Sequence, residues 1–296
     1  MDTKQIEYIL KIAEENNITK AAEKLFITQS ALNQQLLKLE KELGTPLFHR
    51  SRTNWRLTEA GEIYIEGAKA ALQIKNTTYN RIYDVVSARK GHLTIGLTPG
   101  RGLRMFTAIY PELHRSFPNL DVRPIEMRVR AQQDAIAKGD IDVGLMTLTQ
   151  KDQTSDTYYP LKQEELVLII PSGHPLAAKA APSGEPLTTL DLIELRYEPF
   201  VLMDKTSTLR SSCDLLFEKA GFAPNILFET NNTSGIAAMV QSTLCCGIIP
   251  RYYTLGLTEG VACFSLPERP SWEIVISCQK NGYLNSGARE FIRLAR

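Results

Sequence analysis

Residues 18–61 read ITKAAEKLFITQSALNQQLLKLEKELGTPLFHRSRTNWRLTEAG. The stretch predicts two short helices joined by a tight turn, then an arginine-bearing hairpin. Thr19 can cap a first helix that runs to Phe26, with Ala21, Ala22 and Leu25 as its buried side. Thr28 can cap a second helix running to about Leu43, stopped by Gly44 and Pro46. Leu32, Leu36, Leu39 and Leu43 recur at spacings of four, three and four, which makes one apolar stripe. Gln29, Asn33, Gln34, Gln35 and Lys38 fill much of the remaining surface with amide and ammonium groups, and Thr28 and Ser30 stand at its start. Amides can pair with the edge of adenine in a major groove, and a lysine can neutralise phosphate. A helix-turn-helix that reads duplex DNA needs this division between faces.

The flanking sequence extends that reading in both directions. On the N-terminal side, Thr3 to Asn16 predicts a helix with Ile6, Ile9, Leu10 and Ala13 on one stripe, a third support for the pair. On the C-terminal side, residues 45–58 hold His49, Arg50, Arg52 and Arg56 with no Asp or Glu. Phe48 to Leu57, with a turn at Thr53-Asn54, predicts a small two-stranded wing whose arginines meet phosphate or enter the minor groove. A solvated basic loop is the alternative. Thr58 then caps a long helix, with Glu59 and Glu62 near its positive end. Ile65, Ala68, Leu72, Lys75, Tyr79, Ile82 and Val86 fall at alternating spacings of three and four, a heptad seam with one polar interruption. Arg89 and Lys90 suit its last turn and Gly91 its stop. Such a seam suits either a second copy of the chain or packing within one chain.

Composition narrows the function classes. At 296 residues, two or three domains are expected. Net charge is only +1, so DNA contact must rest on the local basic cluster and not on the whole molecule. No stretch approaches the roughly 18 consecutive apolar residues that span a bilayer, and the N-terminus lacks the pattern of a secretory signal. Five cysteines at no zinc spacing read as reduced thiols, and a cytoplasmic location is expected. The four histidines lie in separate contexts, and no nucleophile elbow, P-loop or dinucleotide fingerprint stands at a strand-to-helix junction. Neither catalysis nor a cofactor or metal is expected.

From His92 the period changes to strands alternating with helices, which predicts βαβ units and a parallel sheet. Two candidate sheets are separated near Tyr159–Gln163 and again near Leu266–Pro270. Ligands in open α/β sheets collect where strands end and helices begin. Four such places are Thr98-Pro99-Gly100-Arg101-Gly102, Met146-Thr147-Leu148-Thr149, Asp204-Lys205-Thr206-Ser207-Thr208 and Asn231-Asn232-Thr233-Ser234. Each hydroxyl or amide there is also an ordinary helix cap, contributing about 1 kcal/mol. Arg101 and Arg104 at the first loop, and Arg128 and Arg130 after the second strand, point to an anionic ligand. Alternation along Arg128-Val129-Arg130 is equally compatible with both arginines in solvent.

The chain resembles the LysR-type transcriptional regulators. The resemblance is carried by Ala21-Ala22-Glu23-Lys24-Leu25, Thr28-Gln29-Ser30-Ala31-Leu32, Leu39-Glu40, Glu42-Leu43-Gly44, Pro46-Leu47-Phe48, Arg50 and Leu57-Thr58-Glu59-Ala60-Gly61, in order and without gaps. Ser30 and Asn33 stand where many members have proline and serine, so a base preference does not carry over. The resemblance implies a winged helix-turn-helix DNA-binding domain over residues 1–58, all-α with a small β wing, and a dimerisation linker helix over 59–90. An α/β effector-binding domain over 92–296 follows, built like a periplasmic binding protein. Its subdomain I covers about 92–162 and 267–296, and its subdomain II about 163–266. It further implies a dimer, or a dimer of dimers (a homotetramer), on an inverted repeat of double-stranded DNA, with RNA polymerase as a further candidate partner.

Gln29, Asn33, Gln34 and Gln35 would then approach base edges, with Thr28 and Ser30 beside them. Lys38, Arg50, Arg52 and Arg56 would contact phosphate or the minor groove. The four loops would face a cleft holding a small-molecule effector, with Thr98, Gly100, Arg101, Thr147, Thr206, Ser207 and Thr233 as pocket residues. Family members that sense peroxide carry a cysteine directly before a Leu-Arg pair, where this chain has Thr208 before Leu209-Arg210. A solute-binding protein of transport would share the rear two-thirds but would need a secretion signal, and an enzyme would need a reacting constellation.

Overall fold

The computed structural model describes residues 2–51, 55–86, 89–182, 184–257 and 259–296. The chain divides into two compact units, Met1–Ala88 and Arg89–Arg296.

In the first unit, helix α1 covers Thr3–Glu15 and buries Ile6, Ile9 and Ile12. Helix α2 covers Ile18–Lys24, and α3 covers Gln29–Leu43. The cap of α2 is Asn17 and not Thr19. The Asn17 side-chain oxygen accepts from the Thr19 and Lys20 amides at 2.9 and 3.0 Å, because a side chain at that position reaches the first free N–H groups. Thr28 caps α3 through the Ala31 amide, and Gly44 at φ 71° ends it. Leu32, Leu36 and Leu39 are buried, whereas Leu43 is 46% exposed. The chain leaving Gly44 folds back over Glu40, whose carboxylate accepts the Leu47 amide at 2.8 Å, and so leaves Leu43 uncovered.

Strands β1 (Phe48–His49) and β2 (Arg56–Leu57) pair antiparallel, Phe48 with Leu57 and His49 with Arg56. The expected turn at Thr53-Asn54 lies outside the described residues. Helix α4 covers Glu59–Val85, capped by the Thr58 hydroxyl. It stops short of the expected Lys90, because Lys90 and Gly91 already pair with Asn119 and Leu120 in the next sheet. Along the expected seam only Ala68 is buried, and Tyr79, Ile82 and Val86 are exposed.

The second unit opens with β3 (Lys90–Leu97), α5 (Arg101–Ser116), β4 (Asn119–Glu126), α6 (Val129–Lys138) and β5 (Val143–Leu148). There follow β6 (Thr157–Pro171), β7 (Pro199–Met203), α7 (Thr208–Ala220), β8 (Asn225–Thr230), α8 (Thr233–Gln241) and β9 (Gly247–Pro250). Strands β10 (Val261–Ser265) and β11 (Ser271–Cys278) and helix α9 (Ser286–Ala295) complete it.

The sheet is mixed and not parallel throughout. Its order is β10-β6-β11-β5-β3-β4, with β9 also on β6. Only β3–β4 and β3–β5 are parallel there, while β6 pairs antiparallel with β9, β10 and β11, and β11 with β5. The break expected near Tyr159–Gln163 is absent: β6 runs straight through it. Pro160 has no N–H for the ladder, and a register shift opposite Ile274/Val275 absorbs it, so the strand continues past a residue that usually stops one. The break near Leu266–Pro270 is present, with Glu268 and Arg269 at φ 62° and 45°. After it, β11 returns to β5 and α9 packs against α5 and β3, the crossing the resemblance implied. Strands β6 and β11 thereby contribute side chains to two apolar cores. Distinct apolar cores lie on either side, one around Leu93, Phe106 and Phe291, the other around Phe200, Phe217 and Phe264. The parallel pair β7–β8 attaches to the second through a bridge between Phe200 and Cys246.

Candidate functional site

The reading helix α3 presents Gln29, Ser30, Gln34, Gln35 and Lys38 to solvent, with Thr28 exposed at its cap and Asn33 half-buried. At 100° per residue, Ser30, Asn33, Gln34, Lys38 and Gln29 share one half of the cylinder, and Gln35 lies on the opposite flank. Leu37, 44% exposed, sits in the middle of that face, a position that sequence reasoning missed because a leucine there reads as core. The Thr19 hydroxyl donates to Gln29 Oε1 at 3.2 Å. This orients the amide and leaves its oxygen a second lone pair. Thr28 and Ser30 hydroxyls lie 3.2 Å apart at the helix start.

The wing is tied to α3 by charge. Arg50 is ion-paired to Glu40, which is 8% exposed, and its guanidinium lies 5.4 Å from the Trp55 ring centroid. Arg50 therefore spends one edge inside the domain, a commitment that composition could not show because Glu40 lies ten residues upstream. Arg56 is exposed, and Arg52 lies outside the described residues.

The second unit holds a cavity of about 460 Å³. All seven of Thr98, Gly100, Arg101, Thr147, Thr206, Ser207 and Thr233 line it, brought together from four separate strand ends. Thr98 follows β3, and its carbonyl accepts the Gly102 amide at 3.0 Å at the start of α5. Its hydroxyl oxygen is buried with no hydrogen-bond partner among the described residues. Gly100 precedes α5 with φ 71°, and a Cβ there would stand 3.0 Å from the Tyr253 hydroxyl, so glycine keeps the cavity open. Thr147 is buried, and its carbonyl accepts the Thr208 hydroxyl at 3.1 Å. Ser207 and Asn232 cap α7 and α8, so part of the hydroxyl and amide content of these loops is capping. Helices α5 and α6 begin without any side-chain cap, but the Arg101, Gly102 and Leu103 amides of α5 donate to the Pro99 and Thr98 carbonyls, so of these two starts only that of α6 lacks such backbone bonds among the described residues.

Two guanidiniums line the wall. Arg101 pairs with Glu164 at 3.2 Å and lies 3.8 Å from the centroid of Tyr252; Glu164 also accepts the Trp272 indole N–H at 3.2 Å. Arg128 pairs with Asp204 at 2.5 Å and donates to the Thr206 hydroxyl. Arg130, by contrast, is exposed, so the alternation separates the two arginines. Burial works against the charged form of Asp204, but hydrogen bonds from Thr206 and Arg128 outweigh it and hold the carboxyl below its ordinary value. Burial pushes the Tyr253 hydroxyl up, with a Thr233 hydrogen bond opposing. Tyr253, Trp272 and Met203 also line the cavity. Their sequence signal is that of ordinary core residues.

The five cysteines are all unbridged. Burial pushes the Cys213 and Cys246 thiols up to about 12. Among the described residues no cluster of His, Cys, Asp and Glu could hold a metal ion, and no helix is long and apolar enough to cross a membrane.

Comparison with known proteins places both units. Residues 3–62 match the family described as bacterial regulatory helix-turn-helix protein, lysR family, and residues 87–296 match the LysR substrate binding domain. The HTH-type transcriptional regulator YcgK of Bacillus subtilis is 29% identical over 308 residues, covering 100% of this chain and 94% of its own. HcaR, the hca operon transcriptional activator of Escherichia coli, is 25% identical over 296 residues, covering 100% and 97%. Among solved structures, full-length CbnR complexed with its target DNA has a TM-score of 0.68 at 20% identity, covering 100% of this chain and 99% of that one. A full-length OxyR variant from Pseudomonas aeruginosa has a TM-score of 0.70 at 22% identity, covering 100% and 95%. These two share the fold. With a polar reading helix in one unit, a cavity in the other and a family match across both, the chain belongs to the LysR family: a DNA-binding transcriptional regulator, not an enzyme, whose C-terminal substrate-binding domain serves an effector.

Proposed function

We propose that this regulator binds an inverted repeat as a dimer, or as a dimer of dimers, and responds to a small anionic effector held in the cavity of its C-terminal unit. Gln29, Asn33 and Gln34 approach base edges, and Lys38 and Arg56 meet phosphate. Arg50 reaches phosphate only with the edge that Glu40 does not hold. RNA polymerase is the partner through which such a regulator acts, and a cytoplasmic location follows from DNA as target. The observation that carries the effector reading is the cavity lining: its charged residues are Arg101 and Arg128, each ion-paired to an acid that is not itself a lining residue, beside the start of α6, which has no side-chain cap. A cationic, amide-rich wall favours carboxylate or phosphate.

Binding must discriminate between two arrangements of the protein if it is to alter DNA binding. The test is a thermal-shift screen of carboxylates and phosphate esters at fixed ionic strength on the full chain, wild type beside Thr98→Val and Thr147→Val. A compound that raises Tm in wild type and loses that effect in both variants supports the reading. Equal shifts in all three proteins would sink it.

A further inference from the structure

We propose that Asp204 occupies, as part of the protein itself, the position an anionic effector takes on Arg128, so that Arg128 sets the cavity's selectivity and binding is an exchange of one anion for another. This rests on the cavity being the effector site. The two guanidiniums at its wall are not equivalent. Arg101 is 14% exposed and its partner Glu164 only 4%. Separating them would strand a charge in the interior, where an unpaired ion is strongly destabilising. Arg128 and Asp204 are 41% and 26% exposed. Pairs with that much solvent contribute little. An incoming anion therefore displaces Asp204 from Arg128 well before it displaces Glu164 from Arg101.

Asp204 also has somewhere to go. Its Oδ1 accepts the Thr206 amide at 3.0 Å and the Thr206 hydroxyl at 2.6 Å, both within its own loop. Its Oδ2 is buried with no partner among the described residues, so leaving Arg128 lets that oxygen gain water. Arg128 in turn stands at the start of α6, which has no side-chain cap, so guanidinium and helix amides converge on one anion. The bond that is exchanged spans 76 residues and joins the start of α6 to the loop before α7, both of which line the cavity. Effector binding and a change in how the walls are joined are then one event.

The test is a thermal-shift titration of the full chain with inorganic phosphate, chloride balancing ionic strength, in wild type, Asp204→Asn, Arg128→Gln and Thr98→Val. With its internal competitor weakened, Asp204→Asn should bind phosphate about fivefold more tightly than wild type, and Arg128→Gln should not bind it. Unchanged or absent affinity in Asp204→Asn overturns the exchange. If that failure comes with loss of binding in Arg128→Gln and Thr98→Val, the cavity reading stands without it. If Arg128→Gln and Thr98→Val both keep wild-type affinity, the anion lies elsewhere and the cavity reading falls as well.

Discussion

Gln29 is the base-contacting residue proposed at the start of α3. Its amide is oriented by the Thr19 hydroxyl and stands at the start of the reading helix, beside the Thr28 cap. Gln29→Ala should cost about 1–3 kcal/mol of preference for the cognate site for each base it ceases to read, with little effect on binding to random duplex. Competition footprinting at one salt concentration separates the two quantities; an unchanged preference would show that Gln29 does not read a base. Burial works against thiolate formation at Cys213 and Cys246. With the Cys213 and Cys246 thiols up at about 12, roughly one part in ten thousand of each is thiolate at pH 8. The folded chain should therefore react slowly with a disulfide reagent at these two sites, and all five thiols should react once it is denatured. Rapid modification of Cys213 or Cys246 in the native protein, detected by mass spectrometry, would contradict this.

At the level of elements, the junction between reading helix, wing and long helix turns on Leu47. Its N–H goes to Glu40 of α3, its carbonyl accepts the Thr58 amide at 3.0 Å, and Thr58 caps α4. Gly61 makes this approach possible, since a Cβ there would stand 2.1 Å from the Leu47 carbonyl oxygen. Alanine normally gains about 1 kcal/mol over glycine inside a helix. Here the clash is with backbone, so overpacking of about 1–3 kcal/mol should win and Gly61→Ala should lower the urea midpoint of the full chain. A raised midpoint would mean that the helix start can slide. Glu40→Gln keeps an acceptor for Leu47 but gives up the ion pair to Arg50, so its effect should show in DNA affinity more than in folding. Period and caps made the elements of this unit legible in the sequence, and the motif included Gly61. They could not show that Glu40 turns inward, because a carboxylate on an otherwise polar helix flank reads as solvated. The same limit applies to β6, where Pro160 reads as a breaker and only the register shift in β11 reveals how the strand continues.

On the scale of the whole molecule, the cavity was legible as four separate strand ends, since each ends in hydroxyl, amide or guanidinium groups before a helix. Its aromatic wall of Tyr253 and Trp272 was not, because convergence across the crossing is a property of topology and not of local pattern. Asp204, too, reads as loop polarity and not as a partner for a residue 76 positions earlier. The seam expected along α4 leaves Tyr79, Ile82 and Val86 exposed, and a second exposed apolar row lies on another face of the same helix. Ile63, Ile74 and Val85 are 68%, 70% and 85% exposed and recur every eleven residues, a spacing that returns to nearly the same side of a straight helix. The helix has 27 residues, about 40 Å, and exposed aliphatic side chains along such a length are costly in water unless covered. A second copy of α4 offers the matching surface, because a two-fold interface is complementary to itself. Ile74→Glu with Val85→Glu should place like charges at that interface, and sedimentation should then show a single copy where wild type shows two or more. The double variant should keep its C-terminal melting transition and lose paired protection of the two half-sites in footprinting. If it sediments as wild type does, the association runs through another face, and the eleven-residue row is left as exposed surface.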